Sequence, residues 1–336
     1  MILKACIEKL MHGQHLDSAS CRQVIDELLK PSTNPLQISA FLVLLRAKKE
    51  TADELSVIVD ALREKMIKVK TPYEVLDIVG TGGDGMHTIN ISTGSAMLAA
   101  SCGVKVAKHG NRSVSSMAGS ADLLEALGIN IHLLPDQVAQ SIEQIGIGFC
   151  YSPNFHPVAQ SLRNISKKLN VPTTFNLLGP LLNPANTSHI ILGVMDEALM
   201  PIMADVIIQK KCRRSVVVHG MGMDEISTAG PTKILEINDT TKNEYILDPE
   251  MFGFERCQVS DLRGGDPKMN AKLLLDTFNG KRGPIADTLI LNASVALYLT
   301  GLSSSVAEAI PHASKNLYNG SVITLLNKWI EFTHEQ

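Results

Sequence analysis

The sequence predicts an α/β protein: a small all-α N-terminal domain, then a larger α/β domain with a mostly parallel sheet. Three observations predict it. The first seventy residues carry helical periodicity and no strand signal. From residue 72 onward, short apolar runs alternate with helical patterns. Alternating strands and helices bury a parallel sheet under helices on its faces. The 336 residues suit roughly two domains of about 150 residues. With 45% hydrophobic and 19% charged residues the chain can build a sizeable core, and 4% aromatics make that core aliphatic and Met-rich.

The helical part reads as residues 1–71. Asp17 or Ser18 can cap a helix whose stripe is Val24, Ile25, Leu28 and Leu29. Pro35 suits a first turn, ahead of Ile38, Phe41, Leu42 and Leu45. The run TADE at 51–54 is a capping box before Leu55, Ile58, Val59 and Leu62. The α/β part reads as residues 72–336. Strands are expected over 74–79, 104–107, 129–132, 147–151, 190–194 and 215–219, with helices at 93–101 and 120–127. Residues 175–184 (FNLLGPLLNP) read as an irregular link, with part of 166–188 crossing back to the helices.

Composition excludes several classes. A net charge of -3 argues against nucleic-acid binding by bulk charge. The six cysteines form no CxxC pair, so reduced thiols are expected. Lys4, Glu8 and Lys9 interrupt any signal-peptide run, and the uncharged stretches 85–104 and 171–195 are too polar or Pro-rich to cross a bilayer. The expectation is a soluble cytoplasmic protein.

The chemistry should sit where strands end. Residues 80–85 (GTGGDG) follow a strand and precede a helix, so backbone N–H groups can approach an anion closely. The run also matches GxGxxG, but a dinucleotide fold needs an acidic residue about 20 positions later. None occurs between Gly85 and Ala121. That acid-free window holds Thr88, Asn90, Ser92, Thr93, Lys105, Lys108, His109, Asn111, Arg112, Ser113, Ser115, Ser116 and Ser120. Hydroxyls, amides and cations without carboxylates suit a multiply phosphorylated ligand. Singly they have plainer roles: Ser92, Thr93 or Ser120 can cap a helix, His109 can be a satisfied turn residue, and Lys105 a solvated strand side chain. Asp84 would accept sugar hydroxyls or hold the loop backbone. After the strand at 215–219, Asp224 and Glu225 offer two carboxylates suited to Mg²⁺, a hard cation that keeps several waters.

In this order the motifs GTGGDG (80–85), NIST (90–93), KHGNR (108–112), GSAD (119–122), NLLGP (176–180), GMDEIS (222–227), GGD (264–266) and the NA pairs at 270 and 292 resemble the anthranilate phosphoribosyltransferase family. The resemblance spans nearly the whole chain. It implies the fold shared with pyrimidine nucleoside phosphorylases, a homodimer formed through the helical part, and a step of tryptophan biosynthesis. By the same resemblance, Gly80, Gly83, Asp84, Thr88, Asn90, Ile91, Ser92, Thr93, Lys108, His109, Gly110, Asn111, Arg112, Ser113, Val114, Ser115, Ser116 and Ser120 would surround phosphoribosyl pyrophosphate. Ser92, Asp224 and Glu225 would hold Mg²⁺, and Gly80 and Asn111 would line the anthranilate side.

One position departs from the family pattern. Where the family has an Arg nine residues before the Phe of FNLLGP, this chain has Ser166, and Asn170 and Pro172 replace a Gly and an Arg. Arg163, three residues before Ser166 on an expected helix, shares its face and would reach the same acceptor carboxylate. The expected reaction is Mg²⁺-dependent transfer of a 5-phosphoribosyl group to anthranilate, with no covalent nucleophile. A transferase for another aromatic acceptor, a nucleoside phosphorylase and a nucleic-acid-binding protein on the same fold are the alternatives. Neither nucleic acid nor membrane is an expected partner.

Overall fold

The computed structural model describes residues 2–113 and 117–336. It opens with four helices, α1 (Ile2–Met11), α2 (Ser18–Leu28), α3 (Pro35–Lys48) and α4 (Ala52–Glu64). Their ends follow from local chemistry. Asp17, not Ser18, caps α2, accepting the Ser20 N–H at 2.8 Å. Asn34 caps α3 ahead of Pro35. Thr51 and Glu54 form the reciprocal capping box of α4. The stripes Val24, Ile25 and Leu28, then Ile38, Phe41, Leu42 and Leu45, then Leu55, Ile58, Val59 and Leu62 are all buried.

The remainder wraps one seven-stranded sheet of order β3-β2-β1-β4-β5-β6-β7. Its strands are β1 (Leu76–Gly80), β2 (Val106–Gly110), β3 (Ile147–Tyr151), β4 (His189–Gly193), β5 (Arg214–Gly220), β6 (Thr232–Asn238) and β7 (Thr241–Leu247). The first five are parallel, and β6 and β7 add an antiparallel hairpin at one edge. The sequence reading missed that hairpin. Thr241–Leu247 carries Lys242, Asn243 and Glu244 and is mostly exposed, as suits an edge strand that must resist pairing with other chains.

Two further expectations are corrected. Residues 129–132 are not a strand. Ile129 and Ile131 are buried, but the Asn130 N–H donates to the Thr333 hydroxyl oxygen at 3.2 Å instead of to a ladder partner. An alternating pattern there reflects an extended loop lying on the C-terminal helix. The link at 175–184 is not wholly irregular either: Phe175–Leu178 is a short α-helix, followed by a 3₁₀ turn at Gly179–Leu181. Pro180 falls where a first turn tolerates it.

The other helices are α5 (Ile91–Ser101), α6 (Ser120–Ala126), α7 (Pro135–Gln144), α8 (Ser152–Phe155), α9 (Gln160–Leu169), α10 (Phe175–Leu178), α11 (Met200–Gln209), α12 (Pro267–Phe278), α13 (Pro284–Leu299), α14 (Val306–Tyr318) and α15 (Ser321–Glu335). One face of the sheet packs on α5 and α12 to α15. Helix α5 is sunk so deep that a Cβ on Gly94 would lie 2.8 Å from Leu274 and 2.9 Å from Leu289. On the opposite face, β4 to β6 share an apolar cluster with α11, the 177–182 link and α1 to α4, while Ala107 and Cys150 of β2 and β3 pack with Val138 and Ile142 of α7. Two polar ties fasten that link to the helices: Thr174 donates to Glu50, and Arg63 Nε donates to the Leu181 carbonyl at 2.9 Å. Among the described residues no helix is long and apolar enough to cross a membrane.

Candidate active site

The parallel strands all end at one rim, and the loops after them converge there. Register pairs Gly80 with Gly193, and Gly193 with Val218. The turn after β1 has Gly82, Gly83 and Gly85 at φ of 68°, 86° and 71°, a left-handed run that only glycine adopts freely. The Gly82 N–H donates to Asp224 Oδ2 at 2.6 Å. A Cβ at Gly80 would collide with the Asp224 carboxylate, and one at Gly193 with the Asp224 backbone. The two loops expected to meet at this rim are therefore in contact, and two glycines, Gly80 and Gly193, make room for the acid.

Asp84 serves both of its neighbours. Its Oδ1 accepts the Met86 N–H at 3.1 Å, holding the turn, and its charge faces Asp224. Burial, and then the Asp84 charge, raise the Asp224 carboxyl above its ordinary range. Burial and then Asp224 do the same to Glu225, against the opposing pull of Lys108 and of the Ser92 N–H, which donates to Glu225. Helix α5 starts at that point, and its N-cap Asn90 makes no side-chain cap bond. Instead Asn90 Nδ2 donates to the Ala118 carbonyl at 2.9 Å, and its Oδ1 accepts from Asn270 Nδ2 at 2.9 Å. Ser92 and Thr93 sit in the first turn of α5, so neither caps it. Thr93 is buried, and its hydroxyl lacks a partner among the described residues. Ile91 is core, contributing backbone alone to the rim. Thr88 forms a bridge with Arg263.

On β2, Lys108 is buried rather than solvated. Its Nζ donates to the Ile78 carbonyl at 2.7 Å, and Asp77 and Glu225 favour its charge while burial opposes it. His109 donates its N–H to Asp77 Oδ1 at 3.3 Å, and its Nδ1 meets the Gly179 carbonyl at 3.1 Å. Asp77 and Asn183 were missed by the sequence reading. Asn183 Nδ2 donates to Asp77 Oδ2 at 2.8 Å and to the Ala107 carbonyl at 2.7 Å, seating the link on the sheet. An aspartate inside an otherwise apolar strand was the available signal, since such residues are rarely buried unless paired.

The loop after β2 is closed by Asp122, whose Oδ2 accepts the N–H groups of Ser113 and Gly119, each at 2.9 Å. Gly110 lies against the Ser120 hydroxyl, which donates to the Asn111 carbonyl at 3.3 Å. Ser120 is the first residue of α6, with Gly119 as the cap. The expected phosphate cation Arg112 is committed elsewhere. Its Nη2 donates to Glu125 at 2.8 Å, its Nη1 to Asp122 at 3.2 Å, and its Nε to the Tyr151 hydroxyl at 3.2 Å. Val114, Ser115 and Ser116 lie outside the described residues. Lys105 is not a loose strand side chain: its Nζ bonds the Ile142 and Glu143 carbonyls at the end of α7.

Arg163 and Ser166, expected on the acceptor side, fall on α9. Arg163 Nη2 donates to Ser152 Oγ at 2.6 Å, while Ser166 Oγ is bonded to Thr173 Oγ1 at 2.8 Å. Arg163 is thus brought toward β3, and Ser166 toward the turn before α10.

The donor set suits magnesium. Asp84, Asp224 and Glu225 crowd negative charge, with Lys108 opposing it, and the raised carboxyls of Asp224 and Glu225 mark a charge that a bound cation relieves. Among the described residues no three His, Cys, Asp or Glu side chains form a ready-made cage. Mg²⁺ asks for less: one or two carboxylates, substrate phosphate oxygens and retained waters.

Comparison with known proteins gives the class first. The helical bundle domain of a glycosyl transferase family matches residues 4–66, and the a/b domain of a glycosyl transferase family matches residues 72–323. Fold and rim together define a glycosyl transferase. Among relatives, the anthranilate phosphoribosyltransferase of Chlamydia felis is 42% identical over 335 residues, covering 99% of this chain and 97% of the relative. That of Methanosarcina acetivorans is 44% identical over 335 residues, covering 99% and 90%. The solved anthranilate phosphoribosyltransferase of Thermus thermophilus superposes with a TM-score of 0.92 at 36% identity, over 98% of this chain and 99% of the other. The Saccharomyces cerevisiae enzyme in complex with PRPP and Mg gives 0.91 at 29% identity, over 99% and 98%. The chain belongs to the anthranilate phosphoribosyltransferase family.

Proposed function

We propose that this protein transfers the 5-phosphoribosyl group of phosphoribosyl pyrophosphate to the amine of anthranilate in the presence of Mg²⁺. The observation that carries the reading is the contact between the Gly80 turn and the Asp224 loop. It sets backbone N–H groups and an acidic pair at one strand rim. The names of the relatives and the PRPP- and Mg-bound yeast structure support it.

In the reaction the bond from C1 of the ribose to pyrophosphate breaks, a bond from C1 to the anthranilate nitrogen forms, and the amine loses a proton. The products are N-(5-phosphoribosyl)anthranilate and pyrophosphate. Asp224 and Glu225, with Ser92, whose N–H donates to Glu225, would hold Mg²⁺, which when bound neutralises charge on the pyrophosphate. Lys108, anchored on Ile78 beneath the rim, adds a fixed positive charge there. The glycine turn and the first turn of α5 hold the sugar in line with the amine. No side chain is needed as a covalent nucleophile. A cytoplasmic homodimer, a helical domain over 1–71 and an α/β domain over 72–336 belong to the same reading.

The test is a fluorescence assay for loss of anthranilate. Loss that needs both phosphoribosyl pyrophosphate and Mg²⁺ is the expected result. No loss with both present overturns the reading.

A further inference from the structure

A cavity of about 640 Å³ lies at the opposite end of the strands from the rim. Residues 66–73 lead into β1 and residues 184–186 lead toward β4, and these strands are parallel, so the space between the two segments opens beneath the other edge of the sheet. Its volume suits a small organic molecule. The walls are tied together: the Ile67 N–H donates to the Phe155 carbonyl at 2.9 Å, and the Val69 N–H to the Pro184 carbonyl at 3.1 Å.

The charges lining the cavity do not balance. Arg22, Arg63, Lys68 and Lys70 face Asp60 and Glu64. Both acids are committed: Glu64 takes Arg22 Nη1 at 2.8 Å, and Asp60 pairs with Lys210. Lys68 and Lys70 are exposed and have no carboxylate partner among the described residues. Arg63 is held on neutral groups, its Nε on the Leu181 carbonyl at 2.9 Å and its Nη1 on Asn186 Oδ1 at 3.2 Å, which leaves Nη2 without a bond among the described residues. Burial lowers the Arg63 pKa. Of the two groups that oppose this, Cys212 is a thiol that burial keeps protonated, and Asp60 is shared with Lys210. A part-dried guanidinium with neutral partners gains from an incoming anion.

Three cations without a counter-ion of their own exceed what one carboxylate neutralises. A phosphate ester carries close to two charges at neutral pH and three acceptor oxygens, enough for an Arg fork and two Lys point charges. Thr71 adds a hydroxyl: its oxygen accepts the Tyr73 N–H at 3.2 Å and its O–H remains to donate. Val69, Pro184 and Ala185 supply an apolar wall.

We propose that this cavity is a second anion site, binding a phosphate monoester on Arg63, Lys68 and Lys70 with its organic part against Val69 and Pro184. The site is separate from the rim and stands whether or not the transfer reading does.

The experiment is isothermal titration calorimetry of the full chain with adenosine 5′-monophosphate, with adenosine as its uncharged counterpart and with citrate as a polycarboxylate. The monophosphate should bind the wild type most tightly, and phosphoribosyl pyrophosphate with Mg²⁺ should not displace it. Lys68→Gln/Lys70→Gln should weaken it about 10- to 100-fold, the usual worth of hydrogen bonds to charged groups. The same change of charge on α14 and α15, Lys315→Gln/Lys328→Gln, should weaken it less than about twofold. No binding of the monophosphate, adenosine or citrate binding as tightly, displacement by phosphoribosyl pyrophosphate, or equal weakening in the two double variants each overturns the proposal. If Lys68→Gln/Lys70→Gln does not fold, the three probes and the displacement decide on the wild type alone.

Discussion

The Gly82 N–H and the Asp224 carboxylate meet at 2.6 Å across 142 residues of sequence, and this bond joins the loops after β1 and β5 into one rim. The carboxylate is buried and its charge is opposed by Asp84, so it is held ready for a cation rather than solvated.

Asp224→Asn keeps the size of the side chain and an oxygen for Gly82, but removes the charge. Loss of one well-aimed stabilising group costs about 2.7–4 kcal/mol, so kcat at saturating Mg²⁺ should fall roughly 100- to 1000-fold. Circular dichroism and the thermal midpoint should stay near those of the wild type. Near-normal turnover would remove Asp224 from the metal site.

Gly193→Ala tests the packing beneath the same acid. Its Cβ would collide with the backbone of Asp224, which cannot rotate away as a side chain can. Overpacking of this kind costs about 1–3 kcal/mol, and here the shift is carried directly into the acidic loop. The variant should unfold at lower denaturant concentration and show a raised KM for phosphoribosyl pyrophosphate. A change in stability alone would mean that the loop adapts without disturbing the site.

Asn270 is buried, accepts the Gly265 N–H at 2.7 Å and donates to Asn90 at 2.9 Å. Asn90 passes the connection to the Ala118 carbonyl at 2.9 Å. The start of α12, the start of α5 and the loop before α6 are thereby tied together. Asn270→Ala leaves two part-buried polar groups, the Gly265 N–H and Asn90 Oδ1, without their partner, at up to about 1 kcal/mol each. Steady-state kinetics should show the KM for phosphoribosyl pyrophosphate rising several-fold, alongside a lower thermal midpoint. An unchanged KM would confine Asn270 to a structural role.

Asp77 should give stability a recognisable pH dependence. Burial raises its carboxyl to about 6, with Lys108, Asn183 and the His109 N–H pulling the other way. Between the unfolded value near 4 and about 6, the native state keeps a proton that the unfolded chain releases. Stability from this group therefore falls as pH rises through that window, by on the order of 3 kcal/mol. Asp77→Asn removes that slope, so urea unfolding at pH 4.5 and 7.5 should find the variant gaining on the wild type as pH rises. Parallel curves would show that Asp77 is already ionised at the lower pH.

Where local chemistry decides, the sequence was legible. The capping box at Thr51, the stripes of the first helices, the strand at Ile147–Tyr151 and the meeting of the Gly80 and Asp224 loops all follow from spacing and turn residues. What escaped was decided at long range. Residues 129–132 alternate like a strand because a helix two hundred positions later covers one side of them. Residues 241–247 look like a loop because an edge strand is selected for charge. The pairing of Arg112 with Asp122 and Glu125, ten and thirteen positions on, was not legible from spacing either. Asp77 and Asn183 find each other only once the link is seated on the sheet.

The apolar cluster that runs from Leu3 and Phe41 through Met203 and Ile207 to Ile190 and Val217 belongs to both parts of the chain. The first four helices therefore share their interior with the strands as well as with one another. Severing the connection near residue 70 would strip a greasy underside from the strands that carry the chemistry, and neither fragment would be left with a surface suited to water. What looks like an appended bundle is the floor on which the catalytic rim stands.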